Sequence, residues 1–512
     1  MDSHRCISSN NIKIYSTSKP FSCFNFIDIN NINTKPIHRC FSLARSHGMK
    51  SMIFEDILPA GLIKDENNEI NNYYDDYKSG RLLRVSFWEK NLEENIKNIV
   101  DLCDKDFIGY LIIKEDILES NKQIHIFEAV IRKYPHQHNC VPCAGNYRVK
   151  IYNNIFNIEG VLYCQQNQLN KACAQVALRS LLSKRLPEGD ISYSKINKLA
   201  GGISKTEQLP KEGLSPKQIR NILSKLNIPY TDIDYTDKTQ DLRKTHSYQN
   251  FLYAGIESGN GALLGFSLSG RNGKHIIPFY GHTFNKDTWA PEAEKSYFNI
   301  GTLKYFPSET WTSSFIGHDD NFGANFCVPR LYINPCQVDY IVELLHDNFK
   351  YDGVKAEALS ALLFYSICNH LLSSQPNVWC KRLIKYYVDN RIVLRAITQT
   401  KAQYLNFLKK PSDWNGNKED KTIIQLLQNL LPEKIWVVEV SVPYLFPANE
   451  RKIGEIVLNP YIKLSDKWSL EPFLLARVPE KYIALISTKK TGIPEFLEIP
   501  SRLKNHTPVI KL

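Results

Sequence analysis

Three kinds of side chain in the middle of this 512-residue chain have the types and spacing needed to cleave an acyl bond. The first is Cys173. It ends a polar run, Tyr163-Cys164-Gln165-Gln166-Asn167-Gln168-Leu169-Asn170-Lys171-Ala172, and opens a stretch in which Ala174, Ala177, Leu178, Leu181 and Leu182 recur with helical spacing. A cysteine at a helix N-terminus faces unpaired amide N–H groups and the positive end of the helix dipole, both of which favour the thiolate. A lone cysteine in such a place is otherwise a small core residue, so its meaning depends on what accompanies it. The second is His275, which follows the turn Ser269-Gly270-Arg271-Asn272-Gly273-Lys274 and opens the apolar run Ile276-Ile277-Pro278-Phe279-Tyr280. Imidazole titrates near neutrality and is the natural base for a thiol. The third is the pair Asp319-Asp320, which ends the apolar segment Ser314-Phe315-Ile316-Gly317-His318 ahead of Asn321-Phe322-Gly323. A carboxylate there can orient an imidazole and stabilise its cation. It can also do no more than hold a turn.

The polar run supplies a fourth element. A glutamine shortly before the cysteine, Gln166 in first place, can work with an N-terminal backbone amide to bind an oxyanion.

Elements that must position these groups can be read from the pattern. Ser215-Pro216 starts a well-capped helix through Leu226, with Ile219, Ile222 and Leu223 as its apolar stripe. Gly261 to Leu268 reads as a strand before the His275 turn. The order is Gln-containing stretch, Cys-helix, capped helix, strand, turn, His-strand and Asp-strand. It resembles the papain-like cysteine peptidases, and most closely the branch that removes double-glycine leader peptides in bacteriocin processing. The resemblance spans about 180 residues. It implies a helix carrying Cys173 packed on an antiparallel sheet carrying His275 and the aspartate. It also implies an oxyanion hole built with Gln166, and a triad acid that maps to Asp320, with Asp319 next to it. Where the family has Gly after its cysteine this chain has Ala174. The usual glutamine position falls on Asn167, between Gln166 and Gln168. An insertion from Thr283 to Thr312 separates the His-strand from the Asp-strand and makes Asp287 a further candidate acid.

At whole-chain scale, 512 residues exceed a single core, so several domains are expected. The expected fold class is α+β. Its parts are a loosely ordered segment at 1–45, a small α/β domain at 46–145, the papain-like domain at 146–335, a helical domain at 336–432 and a β-rich domain at 433–512. In the small α/β domain Arg81–Trp88, Phe107–Lys114 and Ile124–Tyr134 read as strands and Leu92 to Cys103 as a helix; just beyond it Tyr147–Gly160 reads as a hairpin turning at Asn153-Asn154. Val338–Leu345, Ala356–Leu372, Cys380–Ile397 and Thr422–Leu431 read as helical, closed by Pro432, whereas Ile435–Val442 and Gly454–Leu458 read as strands.

Hydrophobic residues make up 43% and charged residues 23%, values ordinary for a globular chain. With no long apolar run and no cationic–apolar leader, no membrane association is expected and the expected location is cytoplasmic. The twelve cysteines follow no framework and are read as free thiols. His136, His138, Cys140 and Cys143 lie within eight residues, but no second ligand pair accompanies them, so a metal site is the lesser reading beside an irregular loop. The net charge of +11 is spread along the sequence, which does not favour nucleic acid as a partner. The function expected is a cysteine hydrolase that cleaves a peptide or amide bond in a protein or peptide substrate, without a cofactor. The same triad also serves deamidation and acyl transfer, and a non-catalytic recognition module is the alternative outside enzymology.

Overall fold

The computed structural model describes all residues except 1–5, 18–21, 94, 120, 134–138, 168, 170–172, 202–212, 237–241, 243–245, 269–272, 287–304, 375, 411, 465–469 and 489–493. His136, His138, Gln168 and Asp287 therefore lie outside the described residues. The architecture is mixed α+β, built largely on antiparallel sheets.

The first sheet has β1 (Cys6–Ser16), β2 (Ser51–Pro59), β3 (Lys78–Trp88), β4 (Phe107–Leu118) and β5 (Asn121–Ile131) in sequential order. Helices α1 (Ser22–Ile29), α2 (Lys35–Ser46) and α3 (Gly61–Asn71) accompany it. The expectation of a loose segment at 1–45 is corrected here. The Asn- and Ser-rich start still pairs as β1 with β2, and Ile37, Cys40, Phe41 and Ala44 of α2 are fully buried. Their spacing is helical, and burial of that face orders a segment whose composition alone suggested little. The helix expected over Leu92 to Cys103 is instead a 3-10 turn at Ile96–Asp101.

The middle sheet carries His275 and Asp319. Its order is β14 (Gly323–Pro329), β13 (Thr312–Asp319), β11 (Lys274–Phe284), β10 (Ala262–Ser267), β15 (Val338–Leu344) and β9 (Tyr230–Asp234), with the short β6 (Asn139–Cys140) pairing β11. The expected hairpin forms from β7 (Gly145–Ile151) and β8 (Asn154–Gly160), but it turns at Tyr152 and Asn153, one residue earlier than Asn153-Asn154. Helices α4 (Cys173–Leu182), α5 (Tyr193–Ala200), α6 (Pro216–Lys225) and α7 (Tyr248–Glu257) surround this sheet. Ser215 caps α6 in a reciprocal box with Gln218, as its sequence predicts. One apolar core runs without a break from the first sheet (Ile53, Phe107) through the hairpin (Phe156) to α4 (Leu178) and β10 (Leu263).

The third sheet runs β12 (Phe306–Pro307), β16 (Val393–Thr400), β17 (Lys434–Ser441), β19 (Gly454–Leu458), β20 (Phe473–Val478), β21 (Lys481–Thr488) and β22 (Pro494–Pro500), with the two-residue strand β18 (Arg451–Lys452) apart from it. The helices α8 (Gly353–Ser373), α9 (Val378–Val388), α10 (Lys401–Lys409) and α11 (Lys421–Leu430) go with this sheet. Residues 336–432 are thus not a separate helical domain. Val338–Leu345, read as helical, is β15 of the middle sheet, and the second half of Cys380–Ile397 is β16. Both are short, doubly buried apolar runs, whose periodicity does not distinguish helix from strand.

Candidate functional site

Cys173 is the first residue of α4 and is half-buried. The helix behind it is buried on every face from Ala174 to Leu182. It packs on β11 on one side, and on the other Arg179 ties it to the first sheet. The Arg179 guanidinium donates to Asp190 (2.9 and 3.0 Å), to Glu128 of β5 (3.0 Å) and to the carbonyl of Phe127 (3.1 Å). A buried cation with this many acceptors fixes the axial position of the helix, because removing it strands two buried carboxylates.

His275 is the second residue of β11, and Asp319 is the last of β13. The strands are antiparallel neighbours, so the start of one lies beside the end of the other. Gly317 permits this close approach, since a Cβ there would meet the Pro278 carbonyl oxygen at 2.7 Å. The Asp319 carboxylate is oriented by its own turn. Its Oδ1 accepts from the backbone N–H of Asn321 (2.8 Å) and Phe322 (3.1 Å), and its Oδ2 lies 3.2 Å from His275 Nε2. The turn closes at Gly323, whose φ of +116° suits glycine and whose missing side chain leaves room for Arg39 of α2.

Asp320 Oδ1 lies 3.5 Å from the same His275 nitrogen, and its Oδ2 is buried without a hydrogen-bond partner. Both aspartates therefore face Nε2, and Asp319, rather than the first-choice Asp320, makes the hydrogen bond. The reason is local: the turn amides of Asn321 and Phe322 aim Asp319 at the ring, whereas the Asp320 Oδ1 that faces the ring accepts from the Asn321 side-chain amide at 3.2 Å. The Cys173 thiol interacts with the same imidazole and favours its charged form. Burial works against charge on this ring. The hydrogen bond with Asp319, the Cys173 thiol and the charges of Asp320 and Asp319 outweigh it and hold the ring up to about 10. Burial pushes Asp320 up to about 6, opposed by His275 and reinforced by Asp319.

The glutamine stretch divides its labour. Gln165 is clamped to β5: its Oε1 accepts from the backbone N–H of Ile126 at 3.0 Å, and its own N–H donates to the Ile126 carbonyl. Asn167 is buried and donates to Glu66 of α3 at 2.7 Å, while its Oδ1 accepts from Leu169 N–H. Gln166, between them, is half-buried, and among the described residues its amide has no hydrogen-bond partner.

Several positioning groups were not legible in the sequence. Glu66 and Glu69 of α3 reach across to the nucleophile side of the molecule. Glu69 accepts from Asn197 of α5 (3.3 Å), whose Oδ1 accepts from Gln175, two residues into the Cys173 helix (3.2 Å). The only sequence signal for such contacts is the isolation of Arg179 and Gln175 in an otherwise apolar helix.

The other histidines of this region are committed elsewhere. His282 is fully buried and pairs with Glu257 at 2.7 Å. His318 contacts the Tyr280 hydroxyl and the Val161 carbonyl, and burial holds its ring down to about 3, so it is neutral. Cys140 pairs in register with His282, and Cys143 is buried with its thiol toward the Ile256 carbonyl. A cleft of about 760 Å3 lies away from this site, lined by Lys410, Lys434, Gln403 and Asn406 among others.

No protein-family model matches the chain, and no curated protein or solved structure matches it either. Among the described residues no helix is long and apolar enough to cross a membrane.

Proposed function

We propose that this protein is a papain-like cysteine hydrolase acting on a peptide or amide bond. The observation that carries the reading is a single imidazole, His275, hydrogen-bonded to a turn-held carboxylate, Asp319, with the helix-N-terminal thiol of Cys173 near enough to favour its charge. These residues come from three separate elements, α4, β11 and β13, and their convergence on one ring is not required by the core packing. With Nε2 taken by the carboxylates, Nδ1 is the nitrogen left to the thiol.

In the first half-reaction the proton of Cys173 passes to His275, and the sulfur attacks the carbonyl carbon. The negative charge that develops on the carbonyl oxygen is met by the Cys173 backbone N–H and the free amide of Gln166. The C–N bond then breaks as His275 returns the proton to the leaving amine, which leaves a thioester on Cys173. Water, deprotonated by His275, attacks the thioester, and the carboxylic acid departs as the thiol is restored. Asp319 keeps the ring in plane and balances its positive charge, and Asp320 adds a second, longer-range contact to the same nitrogen.

The test is a digest of a complex peptide mixture with new termini read by mass spectrometry. Wild type should create new termini, and Cys173→Ala should create none. Deamidated or transacylated products in place of new termini would move the reading to those reactions. No Cys173-dependent product of any kind from a folded protein would overturn it.

A further inference from the structure

Ligand-atom geometry around His275 has a second use. One ligand atom each from His275, Asp319 and Asp320 lies within 4.8 Å of the other two, and all three side chains are buried. The separations of Asp319 and Asp320 from Nε2, 3.2 and 3.5 Å, are close to the edge lengths of a tetrahedral metal site. With metal–ligand bonds of about 2.0–2.2 Å, tetrahedral zinc places its donor atoms roughly 3.3–3.6 Å apart. The set also has a polar atom in excess of what a hydrogen-bonded triad needs. Asp320 is 6% exposed, and among the described residues its Oδ2 has no hydrogen-bond partner. A buried carboxylate oxygen left unpaired is costly unless something else occupies its surroundings. The donors are already oriented: Asp319 by the N–H groups of Asn321 and Phe322, Asp320 by the Asn321 side chain.

A contrasting cluster shows that such proximity is not sufficient. Cys140, Glu257 and His282 also lie within 4.8 Å of one another, but Arg395 donates to Glu257 at 2.8 Å, so a cation is already in place there. At His275 the only cationic partner recorded for the two carboxylates among the described residues is the imidazole itself.

We propose that His275, Asp319 and Asp320 form a zinc site that switches the thiol off. Zinc takes the Nε2 lone pair, so the ring keeps its proton on Nδ1 and has no lone pair left to accept the proton of Cys173. The metal and the catalytic proton thus compete for one ring. The metal site stands on its three ligand atoms alone, and its effect on the thiol rests on the hydrolase reading above.

The experiment is a calorimetric titration of the metal-free full-length protein with zinc chloride, in a reductant that does not bind metal. It is paired with the rate of Cys173 alkylation by iodoacetamide with and without zinc. One zinc should bind to wild type and to Cys173→Ala alike. Asp320→Asn, nearly isosteric, should weaken binding by roughly a hundredfold, as expected when a ligand is lost. His275→Gln should do the same if Asp320→Asn does not fold. Zinc should slow Cys173 alkylation about tenfold or more, and a chelator should restore it. The site is refuted if no saturable binding occurs. It is equally refuted if binding survives Asp320→Asn and His275→Gln but is lost on Cys140→Ser. Zinc bound in an Asp320-dependent manner to a protein whose Cys173 is unreactive even without metal would instead refute the hydrolase reading and leave the site in place.

Discussion

At the scale of single residues, the site turns on which carboxylate and which amide do the work. Asp319 rather than Asp320 is aimed at His275, because the turn amides of Asn321 and Phe322 hold one of its oxygens and leave the other for the ring. Asp319→Asn keeps the turn contact but replaces the oxygen facing Nε2 with a donor group or forces the wrong tautomer. Turnover should fall roughly a hundredfold or more, and the loss should exceed that of Asp320→Asn, both measured on the substrate found in the digest. Gln166→Ala should lower kcat by roughly a hundredfold with little change in KM, because the amide meets charge that develops only in the transition state. Unchanged kcat in a folded Gln166→Ala protein would place the oxyanion donor elsewhere. The residue types were legible in the sequence: cysteine before a helical stripe, histidine opening a strand, paired aspartates in a turn. The choice between Asp319 and Asp320 was not, because it depends on which backbone N–H groups the turn presents.

Among the elements, the site is held by helices that the sequence assigns to a different domain. α3 belongs to the first sheet, yet Glu66 holds Asn167 and Glu69 holds Asn197, which holds Gln175 in the Cys173 helix. The first sheet is therefore a support for the Cys173 helix and the segment before it. Asn167→Ala should cost about 1–3 kcal/mol of stability, read as a lower denaturation midpoint, because it leaves the buried Glu66 oxygen short of a donor. It should also slow Cys173 alkylation, although Asn167 itself is not expected to touch substrate. A stability loss without a change in alkylation would limit Asn167 to a structural role. Periodicity placed α4, α6, β10 and β11 well, since each has a clear stripe or flanking turn. It misread Val338–Leu345 and the end of Cys380–Ile397 from Val393 on, short runs buried on both faces, where helix and strand leave the same apolar signature. It also missed α2, whose apolar stripe is hidden in a polar, Asn-rich neighbourhood.

The molecule as a whole joins its middle and third sheets through buried charge and one neutral histidine. Arg395 of β16 donates to Glu257 at the end of α7, and Glu257 pairs with His282 of β11, the strand that carries His275. His346 lies on the same seam, with Nε2 near the Ser258 carbonyl (2.8 Å) and Nδ1 accepting from Lys434 (3.1 Å). Burial, with the charges of Lys434 and Arg185, holds the His346 ring down to about 3, against 6.5 ordinarily. The unfolded chain therefore binds a proton here before the folded one does. Stability from this group is complete above the ordinary value and is lost as pH falls from about 6.5 toward 3, by at most about 1.4 kcal/mol per pH unit. Between about pH 7 and 5 the melting temperature should fall less steeply in His346→Gln than in wild type. Equal slopes would show that the seam does not depend on a neutral His346. This seam had no counterpart in the sequence reading, because its partners are separated by 88 residues on either side of His346.

The most direct measurement is the iodoacetamide alkylation rate of each cysteine, resolved by mass spectrometry, in wild type and His275→Ala. Cys103, Cys327 and Cys336 are exposed and serve as internal standards, whereas Cys173 is only half-buried to half-open. Accessibility alone ranks Cys173 behind them. A thiol paired with an imidazole should react at least about tenfold faster than those three in wild type, and should drop to their rate or below in His275→Ala. A Cys173 no faster than the exposed cysteines, or one whose rate His275→Ala leaves unchanged, would contradict the catalytic pairing of Cys173 with His275.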